Sequence, residues 1–291
     1  MIWKFAKHVW DCSNSPAVMG ILNVTPDSFS DGGSYLQLDA ATAHALELFR
    51  DGSVWVDIGG ESTRPGAQPV SELVELERVL PVLERISTAL KLTNADNITG
   101  WISIDTMKSS VAMQALQAGA VVINDVSGLK DQEGMLEVLS HSDCGYVLTH
   151  CQGTPQTMQI SPHYEDCLSE VLAFFENKLQ ILQRAGVALE RVVLDPGFGF
   201  GKTWQHNREL LLGLSRIAAL GRPVLVGLSR KSFIGQITRT PPRERLGGSI
   251  AAEVLAIVHG AHIVRTHEPR YSAQAIRVVR AILSGETVVR G

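Results

Sequence analysis

Eight short apolar runs in this chain each finish on polar side chains that could do chemistry. They are VMGILN (18–23), VWVDI (54–58), WISID (101–105), VVIND (121–125), GYVLTH (145–150), RVVLD (191–195), PVLVGLS (223–229) and HIVRTH (262–267). Their ends supply Asn23, Asp57, Asp105, Asn124, His150, Asp195, the Ser229-Arg230-Lys231-Ser232 group, and Arg265 with His267. Taken singly, any of these serves equally well as a turn or helix-cap residue, because Asp, Asn and Ser satisfy nearby backbone N–H groups. Taken together, acidic residues and an amide beside a lysine form a donor-and-acceptor surface suited to a flat heterocycle.

Three loops add to this set. DPGFGFGKT (195–203) looks like a phosphate loop, but that motif needs four residues between its first glycine and Gly-Lys, and Gly197 and Gly201 are separated by three. Its glycines read instead as tight backbone turns, with Phe198 and Phe200 either packing or stacking on a ring. NVTPDSFSDGG (23–33) and GGESTRPGA (59–67) combine Gly and Pro punctuation with Ser, Thr, Asp and Arg that can meet a phosphate or a metal. They read either as ordinary βα loops or as lids over a site.

The elements that would position these residues follow from periodicity. Near-continuous apolar runs alternating with helical segments belong to a parallel sheet covered by helices. Val111, Ala112, Ala115 and Leu116 share one face of a helix over 107–118 that stops at Gly119. Leu168, Val171, Leu172, Phe175, Leu179 and Leu182 do the same before Gly186. Pro81 is expected to kink or split the helix from about Ser71 to Leu90. Eight such units match an α/β fold of the (β/α)8 TIM-barrel type, whose active site lies at the C-terminal ends of the strands; a doubly wound open sheet is the competing arrangement. No Pro/Gly/Ser-rich linker divides the chain, so 1–291 reads as a single domain, with 1–16 as an N-terminal extension covering the barrel bottom.

Composition narrows the class. The 291 residues are 45% hydrophobic and 19% charged, which excludes a disordered chain and a disulfide-dependent miniature one. With 26 Lys+Arg against 30 Asp+Glu and no long run of either sign, no electrostatic footprint for nucleic acid or anionic lipid exists. The apolar stretches are too short for a membrane span, and Lys4, Lys7 and His8 interrupt the N-terminal segment. Cys12, Cys144, Cys151 and Cys167 have neither zinc-like nor Cys-x-x-Cys spacing and read as reduced thiols of a cytoplasmic protein.

The strings MGILNVTPDSFSDGG (19–33), DIGGESTRPGA (57–67), SIDT (103–106), INDVSG (123–128), LDPGFGFGKT (194–203), VGLSRKSFIG (226–235) and GSIAAE…GAHIVRTH (248–267) resemble the bacterial dihydropteroate synthase family, in family order. The resemblance implies a (β/α)8 barrel that is a homodimer. It would join 6-hydroxymethyl-7,8-dihydropterin pyrophosphate to 4-aminobenzoate and release pyrophosphate, a step of folate biosynthesis. By motif, Asp105, Asn124, Asp195 and Lys231 would bind the pterin, with Arg265 flanking the ring. Asn23, Arg64, Arg265 and His267 would hold the pyrophosphate and its Mg2+, with Asp31 near the ion. The amine would enter against Phe29, Thr63, Pro65 and Phe200, its carboxylate near Ser232. No residue resembles a nucleophile, so the implied chemistry is dissociative C–O cleavage followed by amine capture.

One departure stands out. The family usually has a hydrophobic residue, commonly Met, on each side of the fifth-strand His, where this chain has Thr149-His150-Cys151. Thr149 is expected to bond backbone and Cys151 to pack as a small hydrophobe. Two other readings share part of the pattern. A corrinoid-linked methyltransferase barrel would lack Arg64, Arg265 and His267 as a pyrophosphate group, and a non-catalytic pterin-binding relative would not need the first two loops intact.

Overall fold

Strand and helix periodicity alternate along the chain, and the backbone follows them. The computed structural model describes residues 1–13, 16–25, 34–64, 66–92 and 100–285, and of 34–36 the backbone alone. The chain opens with β1 (Ile2–Phe5) and β2 (His8–Asp11), followed by β3 (Ala17–Asn23). It continues through α1 (Ser34–Arg50), β4 (Trp55–Gly59), α2 (Glu72–Leu92), β5 (Trp101–Asp105), α3 (Ser109–Ala118), β6 (Val122–Asp125) and α4 (Gln132–Ser140). The second half holds β7 (Gly145–Thr149), α5 (Cys167–Arg184), β8 (Val192–Asp195), α6 (Trp204–Leu212), α7 (Leu214–Ala218), β9 (Leu225–Gly227), α8 (Ser232–Thr238), α9 (Leu246–Val258), β10 (Ile263–Thr266) and α10 (Pro269–Ser284).

Among the described residues, β3 to β10 form one parallel sheet in the order β8-β7-β6-β5-β4-β3-β10-β9. Its two edges meet at the bridge between Leu194 and Val224, helped by the Leu194 N–H donating to the Pro223 carbonyl at 2.9 Å. The sheet is therefore a closed barrel, as the alternating pattern predicts, and not the open doubly wound sheet. Each strand sends alternate side chains to opposite faces. Val56, Ile58, Ile104, Ile123, Leu148 and Leu194 point outward onto Val79, Leu83, Val111 and Phe175 of the helices. Met19, Trp55, Val122, Val147, Val193, Leu225 and Ile263 point inward and fill the barrel interior near the strands' N-terminal ends.

The first strands form an antiparallel hairpin outside the barrel sheet, with Trp3 opposite Trp10. Trp3 and Phe5 are fully buried against that inner cluster, the Trp3 and Trp55 rings lying 5.0 Å apart. The Trp3 indole N–H donates to the Arg191 carbonyl at 2.8 Å, which satisfies the ring's one polar atom in an apolar place.

Helix ends follow the glycines. Gly119 has φ +116 and donates to the Ala115 and Leu116 carbonyls, closing α3; Gly186, just past α5, has φ +81. At Pro81 the expectation of a split fails, because α2 runs through it as one helix. Proline removes the bond to the carbonyl four residues back, here Glu77, and both residues lie on the solvent face. Water can take that carbonyl, so the break costs less than in a buried turn.

Candidate active site

Period two also builds the site. Trp55, Val122, Val147, Val193 and Ile263 face the barrel interior, so the residues two places further along, Asp57, Asn124, Thr149, Asp195 and Arg265, face it one layer higher. Asp105 joins this layer, being in register with Asn124. All but the arginine are less than a tenth exposed.

The layer is cross-linked. The Asn124 amide donates to Asp57 Oδ2 at 2.8 Å. Arg265 donates from Nε to Asp57 and from Nη2 to Asp105, each at 2.7 Å. Burial works against the arginine's charge, but the two carboxylates hold its pKa above the ordinary value. Burial dominates at Asp105 and raises it to about 7, against Arg265 and with help from Asp57, Glu75 and Asp125. Asp195 is also raised by burial, although its Oδ1 accepts the Gly197 N–H at 2.8 Å and Lys231 and Arg265 lie near. These carboxylates, and the Asn124 amide oxygen with no hydrogen-bond partner among the described residues, can receive N–H groups of a flat ring.

Cations crowd above this floor. Burial and then Arg230, Arg265, Arg64 and Lys231 depress His267 to about 3, so the imidazole is neutral among four positive groups. Its Nδ1 lies 3.0 Å from Ser229 Oγ. Lys231 stands 4.2 Å from the centre of the Phe200 ring, and burial lowers it to about 8. Its position is enforced by the turn before α8, where Arg230 has φ +59, a conformation that costs a non-glycine residue energy. The Arg230 N–H bonds Ser249 Oγ at 3.0 Å, Arg245 donates to the Arg230 carbonyl at 2.9 Å, and the Arg230 side chain pairs with Glu268. A neutral imidazole amid this cluster of cationic side chains suits a polyanion.

Residues 19–267 match the pterin-binding enzyme family. The dihydropteroate synthase of Escherichia coli K12 is 45% identical over 271 residues, covering 93% of each chain. That of Bacillus subtilis is 43% identical, covering 94% of this chain and 91% of the other. Among solved structures, Yersinia pestis dihydropteroate synthase with a sulfonamide drug complex aligns with a TM-score of 0.87 at 43% identity, covering 98% of this chain and 100% of that one. The Xanthomonas albilineans dihydropteroate synthase in complex with 7,8-dihydropteroate aligns at 0.83 and 39%, covering 96% and 97%. The chain belongs to the dihydropteroate synthase family. It has that family's transferase activity in folate biosynthesis.

In this dihydropteroate synthase fold, Asp105, Asn124, Asp195, Lys231, Arg265 and His267 converge on one mouth. Asn23 is half-buried at the end of β3, in register with Gly59. Thr63 and Arg64 lie in the loop after β4, Ser232 is exposed at the start of α8, and Phe200 carries Lys231 on its ring. Phe29, Asp31 and Pro65 lie outside the described residues. His150 is turned to another task. Its Nδ1 is 2.9 Å from Lys202, and burial and that ammonium depress it to about 2.

Lys202 follows Gly201 in the loop whose spacing excludes a phosphate loop, and the geometry gives it a backbone role. Its ammonium donates to the Gly197 carbonyl at 3.0 Å and the Phe200 carbonyl at 3.1 Å, closing the loop on itself. Gly197 has φ +68, and a Cβ there would run into the His150 carbonyl oxygen, so the glycine is obligatory. The backbone bond expected of Thr149 is absent: its hydroxyl is buried with no hydrogen-bond partner among the described residues. Cys151 is half-buried, its sulfur 3.8 Å from the Gly153 carbonyl. Asp57, noted only as a strand end, is the central acceptor, receiving both Asn124 and Arg265.

Proposed function

We propose that the acidic floor holds the pterin ring of 6-hydroxymethyl-7,8-dihydropterin pyrophosphate, and the cationic rim its pyrophosphate, while 4-aminobenzoate approaches from the loop after β4. The observation that carries this reading is the vertical order of charge. Buried carboxylates face the layer where ring N–H groups would lie, and Arg64, Arg230, Arg265 and Lys231 surround His267 above them. Asp195 accepts N–H groups from the 2-amino-4-oxo edge through its second oxygen, Asn124 and Asp105 take the neighbouring edge, and Lys231 donates to the ring oxygen. Arg64, Arg265 and His267 donate to the leaving pyrophosphate as the C–O bond breaks, and the electron-rich ring carries the methylene cation until the arylamine traps it. With His267 neutral and Asp105 and Asp195 engaged by the ring, no side chain acts as nucleophile.

Magnesium fits this donor set in a limited way. The described residues contain no group of three or more His, Cys, Asp or Glu able to cage a metal, and Asn23 offers an amide oxygen at the mouth. Mg2+ prefers few protein oxygens with waters and substrate phosphates, so Asn23 and Asp31 would hold it, and when bound it would add positive charge where pyrophosphate departs.

The exposed Leu255 and Val258 of α9 and Tyr271, Val278 and Ile282 of α10 support a homodimer through that face, to be read by sedimentation. Four free cysteines support a cytoplasmic setting. The buried hairpin supports 1–291 as one domain with 1–16 covering its base. An assay of pyrophosphate release with and without 4-aminobenzoate tests the reaction: release with dihydropteroate formation supports it, and no release would favour a methyl-transferring or non-catalytic barrel.

A further inference from the structure

Glu61, Glu75 and Lys108 form an ion triad beside the floor and outside it. The Lys108 ammonium donates to Oε2 of both glutamates. The Glu75 side chain is 1% exposed and that of Glu61 7%, and Glu75 Oε1 has no hydrogen-bond partner among the described residues. Three elements meet there: the root of the loop after β4, α2, and the turn leaving β5 three residues past Asp105. Two buried carboxylates share one ammonium, whose own side chain is 21% exposed. Apolar side chains of similar volume often stabilise as well as a buried ion pair does, so the triad calls for an account beyond stability.

Its position supplies one. Arg78 of α2 donates to the Gly60 carbonyl at 2.8 Å, and a Cβ on Gly60 would lie 2.7 Å from Val79, so the chain is pressed onto α2 just before Glu61. Beyond Arg64, the Gly66 N–H bonds the Pro155 carbonyl at 2.9 Å and Gln156 bonds Gln68 at 3.2 Å. Thr63 and Arg64 thus sit on a span pinned at both ends, and the triad is the charged part of the inner pin.

We propose that Glu61, Glu75 and Lys108 are positioning residues that hold Thr63 and Arg64 over the mouth, setting the grip on pyrophosphate and the entry of the arylamine without touching either. This rests on the reading of the mouth under Proposed function. The test is the triple variant Glu61→Met, Glu75→Leu, Lys108→Met, which removes all three charges at similar volume, with Lys108→Arg as the conservative control. The triple variant is expected to melt no earlier than wild type and to bind 6-hydroxymethylpterin within about twofold of it, because the floor is untouched. The KM for 4-aminobenzoate and the Kd for inorganic pyrophosphate should each rise by about fivefold or more, the equivalent of about 1 kcal/mol. Lys108→Arg should keep both near the wild-type values. Glu61→Gln, which keeps the Lys108–Glu75 pair, should show the same pattern at smaller size, so the proposal does not depend on the triple variant folding. Unchanged KM and pyrophosphate affinity in either variant would overturn it, as would pterin affinity falling in parallel, since the triad would then be a prop for the whole barrel. Failure of the underlying reading would appear separately, as wild-type protein that releases no pyrophosphate.

Discussion

Replacing Asp195 by Asn tests the floor most directly. Asp195 Oδ1 is committed to the Gly197 N–H at 2.8 Å, in a site where the residue is 6% exposed. An asparagine must keep its oxygen on that N–H, because the reverse orientation would press two donors together out of reach of water. The amide nitrogen then takes the place of Oδ2 and points a donor at the ring's own N–H groups. Losing a charged acceptor at that position costs about 1.5–3 kcal/mol, or about ten- to 150-fold in Kd for the pterin pyrophosphate. Calorimetric titration reads it. Stability should not fall with it: burial raises the Asp195 pKa above its unfolded value, so the ionised carboxylate weakens the fold above that range and a neutral amide removes the penalty. An affinity within threefold of wild type would show that Asp195 serves only the Gly197 turn.

Three other outcomes follow from the same geometry. The kcat/KM for pterin pyrophosphate should be bell-shaped with a narrow maximum between about pH 7 and 8: ring N–H groups need Asp105, at about 7, ionised, and the substrate's oxygens need Lys231, at about 8, charged; a flat profile from pH 6 to 9 would reject both assignments. Lys202→Met should lower the denaturant midpoint by the equivalent of about 1–3 kcal/mol, because the Gly197 and Phe200 carbonyls lose their buried donor; an unchanged midpoint would mean water replaces it. Protein unfolded without reductant should present four thiols, and in the native state a thiol reagent should reach half-buried Cys151 before the buried Cys12, Cys144 and Cys167; two thiols on unfolding would reveal a disulfide.

What the sequence made legible is what local periodicity controls. The eight apolar runs became the eight barrel strands, with ends that differ by at most a few residues. Ser229, His150 and His267 fall just past β9, β7 and β10, since the last polar residue of a run leaves the ladder to turn. Most of the inward layer was readable because Asp57, Asn124, Thr149, Asp195 and Arg265 each stand two places beyond an apolar interior residue, whereas Asp105 stands two places beyond the buried Ser103. Pairings between distant elements were not readable. Nothing near Lys108 announces Glu61 and Glu75, 47 and 33 residues away, and only the barrel curvature brings them together. At Lys202 the spacing of Gly197 and Gly201 already excludes a phosphate loop, but only the fold shows the ammonium turned onto its own backbone.

On the proposed placement of the substrate, the layering lets one barrel grip a heterocycle and expel a polyanion without a nucleophile. If all the cations lay in the floor, they would neutralise the carboxylates and leave ring N–H groups without acceptors. If all the carboxylates lay at the rim, they would repel pyrophosphate. Arg265 is the junction, since its guanidinium uses Nε and Nη2 on Asp57 and Asp105 and adds to the positive field at His267. On the proposed placement of the substrate, charge separating along the breaking C–O bond would find each end already matched, with cations toward the pyrophosphate and carboxylates beneath the ring that keeps the positive carbon. These groups are fixed before the substrate arrives, by strand register below and by the Arg230 turn above, so little reorganisation remains for the reaction itself.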